Sequence, residues 1–195
     1  MSGTKGRAAS RAGDPWLLVI DPQRIFADAD SPWGSPLFPE AMEHIARLAA
    51  AVGPERTVVT RWLPTADRDT SWGDYFAAWP HADVPATDAR FDLVPEARGL
   101  SSGPTVDLPT FGKWGTPLAG IVGQAPRLLV AGVSTDCCVI STVLAAADAG
   151  AHIDVVTDAC AASTTEDGAA ALQVMGLFAP QVRLVTSAEV LAPTP

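Results

Sequence analysis

From Trp16 onward the chain alternates short apolar, β-branched runs with longer Ala- and Leu-rich stretches. That is how the strands and helices of a parallel α/β sheet read. Residues 16–21 (WLLVID) are a near-continuous apolar run, as expected of a strand buried on both faces, with Asp21 at its carboxyl end. In residues 39–52, Met42, Ile45, Leu48, Ala49 and Val52 recur at helical spacing behind Pro39, which predicts a helix. Residues 57–61, 127–133, 152–157 and 182–186 read as further strands. A helix is predicted to follow residue 133 and run through Ala149 until Gly150 stops it, and another lies within residues 165–178. Residues 67–103, rich in Asp, Pro, Gly and Trp, are expected to be mostly loop.

Composition narrows the class. Of 195 residues, 48% are hydrophobic and 18% charged, which excludes a disordered, fibrous or coiled-coil chain and suits one folded domain over residues 15–195. Residues 1–14 are small, polar and basic and are expected to be a disordered tail, without the apolar core of a signal peptide. No apolar run reaches the roughly 18 residues a bilayer requires. A net charge of −9 gives no reason to expect nucleic acid or an anionic membrane as partner and points instead to a small-molecule substrate. The three cysteines, Cys137, Cys138 and Cys160, are too few for a disulfide scaffold and are expected to be reduced in a cytoplasm.

Four features could carry chemistry. Asp21 precedes Pro22 where the chain leaves the sheet; it is either a catalytic carboxylate or an acceptor of turn hydrogen bonds. Ser134, Thr135 and Asp136 supply helix-capping oxygens, which would put Cys137 and Cys138 in a first helical turn. The positive end of the helix dipole would there lower a thiol pKa, and at most one of two adjacent residues faces a given site. Lys113 is one of two lysines against eleven arginines, the other being Lys5 in the tail. It is either a compact, tunable ammonium or a retained surface lysine. Nine aromatics (Phe26, Trp33, Trp62, Trp72, Tyr75, Phe76, Trp79, Phe111 and Trp114) follow strand ends or fall in loops, as pocket walls, core or an oligomer interface. No Gly-x-Gly-x-x-Gly or Walker loop is present, and His44, His81 and His152 are scattered, so no His-based triad is apparent.

Taken together, Leu18-Val19-Ile20-Asp21-Pro22-Gln23, a lone Lys113, and Gly132-Val133-Ser134-Thr135-Asp136-Cys137-Cys138-Val139 resemble the isochorismatase-like cysteine hydrolases. Phe26 and Asp158-Ala159-Cys160-Ala161 are also in keeping, and the likeness runs from about residue 16 to 191. The resemblance implies a single-domain three-layer α/β sandwich of Rossmann-like type, with a six-stranded parallel sheet and helices on both faces. It implies an Asp21-Lys113-Cys138 catalytic triad, a cis peptide joining Val133 to Ser134, and an oxyanion hole from the Ser134 and Cys138 amides. Relatives often form dimers or tetramers, so a homo-oligomer is expected, with no cofactor.

Two departures narrow the reading. Metal-binding nicotinamidases carry Thr-Arg-Asp-Trp-His-Pro after strand two, whereas here Thr60-Arg61-Trp62-Leu63-Pro64 lacks both Asp and His, so no metal site is expected. Relatives also often carry a His where Asp167-Gly168 stands. The leading expectation is hydrolysis of a small carboxamide or ureido C–N bond through a Cys138 thioester, with Phe26, Trp62 and Tyr75 as substrate-binding walls. The alternatives are vinyl ether hydrolysis with Asp21 as general acid, and a non-catalytic binding protein on the same scaffold.

Overall fold

Every side chain of the first strand from Leu17 to Ile20 is fully buried, yet they divide between two cores. Leu17 and Val19 join the cluster under one helical layer, and Leu18 and Ile20 join the cluster under the other. Alternation with period two explains why so apolar a run is a strand: both faces of this sheet are covered. The computed structural model describes residues 13–193. The expected tail, residues 1–14, lies outside them except for Gly13 and Asp14.

The elements run β1 (Trp16–Ile20), α1 (Arg24–Ala27), α2 (Phe38–Val52), β2 (Thr57–Trp62), α3 (Ser71–Ala78) and β3 (Val106–Leu108). They continue α4 (Thr116–Val122), β4 (Arg127–Val133), α5 (Ile140–Asp148), β5 (His152–Ala161), α6 (Thr165–Gly176), β6 (Val182–Val185) and α7 (Ser187–Leu191). The six strands form one parallel sheet in the order β3-β2-β1-β4-β5-β6. Strand order reverses between β1 and β4, and ligands of open α/β sheets bind at the carboxyl ends flanking such a reversal. β4 lies close on β1 because Gly132 has φ +123° and no side chain: a Cβ there would fall 2.2 Å from the Ile20 carbonyl oxygen.

The predicted helix over residues 39–52 is α2, with Pro39 in its first turn, an inner face of Ala41, Met42, Ile45, Leu48 and Ala49, and Gly53 at its end. Gly150, at φ +93°, closes α5 as expected, its amide returning to the Ala147 carbonyl and that of Ala151 to Ala146.

Three places hold detail that the sequence expectation did not. Residues 67–103 hold the two-turn helix α3, capped by the Thr70 hydroxyl and anchored by Phe76, besides 3₁₀ turns at Pro80–Ala82, Ala89–Phe91 and Pro95–Ala97. β5 runs past Thr157 to Ala161, because a register shift in β4 between Val130 and Gly132 lets pairing resume. At the Asp167-Gly168 departure, Asp167 joins Thr164 in the α6 cap, while a Cβ on Gly168 would lie 2.8 Å from that of Ala162. A His at 168 would push α6 off the end of β5.

Candidate active site

β1 ends in a strained residue. Asp21 has φ +47°, a left-handed backbone that an L side chain other than Asn or Asp rarely adopts, and it is fully buried. Thr60, near the end of neighbouring β2, holds it twice: the Thr60 hydroxyl accepts from the Asp21 amide at 3.2 Å and donates to Oδ1 at 2.6 Å. Next door, the buried Gln23 side chain donates to the Trp62 and Phe91 carbonyls and accepts from the Trp62 amide, tying the loop after β1 to β2.

Lys113 reaches Asp21 from the loop before α4. Its ammonium lies 3.1 Å from Oδ2, donates to the Thr110 carbonyl at 2.7 Å, and is fully buried. The surface-lysine alternative is thereby excluded. Thr142 on α5 accepts from the Lys113 amide at 2.9 Å and donates to the Cys138 carbonyl at 2.7 Å, so one hydroxyl fixes the lysine and cysteine backbones to each other.

Cys138 follows β4, is 3% exposed, and lies close enough to Asp21 for the thiol and the carboxyl to shift each other's titration. Asp21, Lys113 and Cys138 therefore meet. The turn that carries Cys138 differs from the expected helix start. Residues Thr135–Val139 make a π-helical turn before α5, with no side-chain cap from Ser134. The Cys137 and Val139 amides both donate to the Ser134 carbonyl at 3.0 Å. The Asp136 carboxylate instead accepts from the Ser163 amide and hydroxyl at 2.9 and 2.8 Å, binding this turn to the end of β5. The Val133–Ser134 peptide is cis.

The thiol electrostatics also differ from a simple helix-dipole account. The hydrogen bond with Cys137, burial and the Asp21 carboxylate push the Cys138 thiol well above its ordinary value, with Lys113 pulling the other way. Cys137 moves down, chiefly through the same hydrogen bond. Burial raises the Asp21 carboxyl above its ordinary value, opposed by Lys113, Thr60 and the Cys138 thiol. Burial thus disfavours both the ionised thiol and the ionised carboxyl, and Lys113 opposes it at each. Cys160 packs away from these three residues, its thiol pushed to about 12 by burial.

A cavity of about 500 Å³ opens onto this end of the sheet. Its apolar wall is Phe26, Trp33, Trp62, Tyr75, Trp79 and Phe111, so all three proposed substrate-contacting aromatics line it together with three others. Ser134, Asp136, Cys137, Cys138 and Ser163 supply its polar wall. Trp62 is 1% exposed, with an indole N–H that has no acceptor among the described residues. Trp72 and Phe76 pack behind these rings, and Trp114 belongs to the core on the other face. Burial, chiefly, raises the Tyr75 hydroxyl pKa. Among the described residues no group of three His, Cys, Asp or Glu is placed to hold a metal ion, and no helix is long and apolar enough to cross a membrane. His81 packs edge-on against Trp33 with centroids 4.5 Å apart.

Sequence reasoning gave no role to Thr60, Thr142 or Gln23, although Gln23 stands in the motif after β1. A hydroxyl residue near the carboxyl end of a strand, beside the end of β1, was the available signal for Thr60.

The isochorismatase domain model matches residues 15–189. Among solved structures, a cysteine hydrolase from Pseudomonas syringae pv. phaseolicola is 18% identical, with 90% of this chain and 90% of that one covered and a TM-score of 0.74. An isochorismatase-like hydrolase from Alkaliphilus metalliredigens is 15% identical, with 92% and 95% covered and a TM-score of 0.71. A MAR1 ribonuclease from Caenorhabditis elegans is 22% identical, with 93% and 83% covered and a TM-score of 0.67. At these identities the likeness to the solved structures is one of fold. No curated protein matches the chain.

Proposed function

The chain belongs to the isochorismatase family of hydrolases, its domain model spanning residues 15–189, and from that premise we propose that it hydrolyses a small carboxamide or ureido C–N bond through a thioester on Cys138. The observation that carries the reading is the fully buried Asp21–Lys113 ion pair, 3.1 Å long, electrostatically coupled to the buried Cys138 thiol at the wall of the cavity. A buried ion pair is poor value for stability, so its place beside a thiol in a cavity argues for chemistry.

In this mechanism Asp21 takes the Cys138 proton as sulfur attacks the carbonyl carbon. The Lys113 ammonium balances the resulting negative charge, and the Ser134 and Cys138 amides receive the oxyanion. Asp21 then protonates the departing nitrogen as the C–N bond breaks, leaving an acyl thioester. Water gives a proton to Asp21 and attacks the thioester; the thiolate leaves and recovers that proton, and a carboxylic or carbamic acid departs. The net charge of −9 makes a polyanionic substrate such as RNA a poor fit.

The test is ammonia release from a panel of small primary amides and ureides, with rapid quenching and mass analysis of the Cys138 peptide. An acyl adduct on Cys138 supports the reading, and full turnover by Cys138→Ala rules it out. The raised Asp21 carboxyl also suits a general acid for vinyl ether cleavage. Activity on such an ether that survives Cys138→Ala and is lost in Asp21→Asn would favour that second reading.

A further inference from the structure

The cavity beside Cys138 is lined by six aromatic rings with a carboxylate in its wall, and we infer that the amide hydrolysed there carries a compact positive charge, a tertiary or quaternary ammonium, remote from the bond that breaks. The inference rests on the reading of this cavity as the place of amide hydrolysis.

Ring geometry is the first argument. Trp33 meets Tyr75 at 43° and Trp79 at 62°, with centroids 5.9 and 5.8 Å apart, and Tyr75 meets Phe111 at 66° and 5.4 Å. A flat aryl group is best held in a slot between parallel faces, and the parallel pair among these rings, Phe26 and Trp33, is stacked on itself at 6° and 6.1 Å. Rings inclined to their neighbours instead suit an ammonium ion, which needs a ring face on more than one side. Trp79, at the cavity wall yet 41% exposed, is an odd place for an indole unless it covers a ligand.

Charge is the second argument. Asp136 lines the cavity, is held by Ser163, and forms no salt bridge among the described residues. No Arg or Lys lines the cavity; Lys113 lies beneath it, engaged with Asp21 and Thr110. An anionic substrate would find no counter-charge there and a like charge in Asp136, whereas a cation finds both ring faces and a carboxylate. The net charge of −9 adds attraction at a distance.

Two amides test this, because they have the same shape and differ in charge alone: (trimethylammonio)acetamide and 3,3-dimethylbutanamide. Their binding to Cys138→Ala, and to Cys138→Ser as a second background, is measured by calorimetry and tryptophan fluorescence. The cation is expected to bind about tenfold more tightly. That preference is expected to fall about threefold or more in Trp79→Ala, which removes an exposed ring, and in Asp136→Asn, which can keep both Ser163 hydrogen bonds. Equal or tighter binding of the neutral amide overturns the inference, whether or not either compound is hydrolysed. Faster ammonia release from the cationic amide by wild type supports both readings. Cation-selective binding with no ammonia released from any ammonium-bearing amide in a panel leaves the cation site standing and overturns the hydrolytic reading.

Discussion

Asp21–Lys113 and Asp154–Arg183 are ion pairs of similar length, 3.1 and 2.6 Å, at opposite ends of one sheet and opposite extremes of solvation. Asp154 and Arg183 are register partners on β5 and β6, so strand pairing alone brings them together, and the arginine side chain is 63% exposed. The pair at the carboxyl ends is held by no such register. It is completely buried, sits on a residue with left-handed backbone, and needs Thr60, Thr110 and Thr142 to fix it. Folding obtains the first pair at little cost and would be easier without the second. What the buried pair offers instead is a carboxyl and an ammonium held dry against a thiol.

The largest effect that would sharpen this contrast is on rate. Cys138→Ala and Asp21→Asn are expected to lower kcat/KM for an amide substrate by about 10⁴-fold or more, since groups acting as one unit fail together. Arg183→Ala should leave kcat/KM unchanged. Steady-state ammonia release checks all three, and a comparable loss in Arg183→Ala would break the division between the two ends.

Next in size is a stability loss in a single variant that a double variant largely reverses. Lys113→Met leaves a buried carboxylate uncompensated and is expected to cost about 3 to 5 kcal/mol, whereas Asp21→Asn/Lys113→Met should recover most of that loss. Denaturant unfolding measures both. The pH dependence follows from the raised Asp21 pKa. A carboxyl whose folded value lies above its ordinary 3.8 favours the fold fully below that value and loses this contribution as pH rises through the folded value. The double variant, lacking this titration, should therefore compare best with wild type near neutrality and lose ground as pH falls into the carboxylate range.

How much of this was legible in the sequence divides along the same line. Fully buried strands announce themselves as apolar runs, and β1 and β4 were visible for that reason, β2 through its β-branched Thr and Val residues. β3, with three residues, and α1, with four, are too short for any period to show and form through tertiary contacts. α3 was hidden by a composition, SWGDYFAA, that reads as loop; its helix depends on the Thr70 cap and on burying Phe76. At the site, the resemblance expected Asp21, Lys113 and Cys138 to act together, and the structure brings the three into one buried group. The thiol electrostatics were not, because a dipole argument from sequence sees the helix start and cannot see the Asp21 carboxylate or the burial that outweigh it. Thr142 was invisible too, since its role depends on a contact 29 residues away in sequence.

That contact gives a prediction of intermediate size. Thr142→Val keeps the shape but removes the acceptor of the Lys113 amide and the donor to the Cys138 carbonyl. Leaving a buried amide without a partner is expected to cost about 1 to 3 kcal/mol. If Thr142 also sets the distance between lysine and thiol, kcat should fall with KM little changed, while Thr142→Ser should restore both. A stability loss with kcat intact would reduce Thr142 to a packing role.

The smallest effect belongs to the exposed pair and tests the comparison from its other side. Arg183 and Asp154 meet in near-ideal geometry, with two hydrogen bonds of 2.6 and 3.0 Å between guanidinium and carboxylate. Geometry alone would rank this pair above Asp21–Lys113, whose separation is longer. Solvation reverses the ranking. Water screens an arginine this exposed, and holding two flexible side chains in one arrangement costs entropy, so Arg183→Ala should change stability by about 0.5 kcal/mol or less. That small loss should shrink further as salt is raised. Unfolding curves at low and high ionic strength measure it. A loss of several kcal/mol that ignores salt would mean that β6 depends on this pair for its place in the sheet, and that distance, rather than burial, governs what an ion pair contributes in this fold.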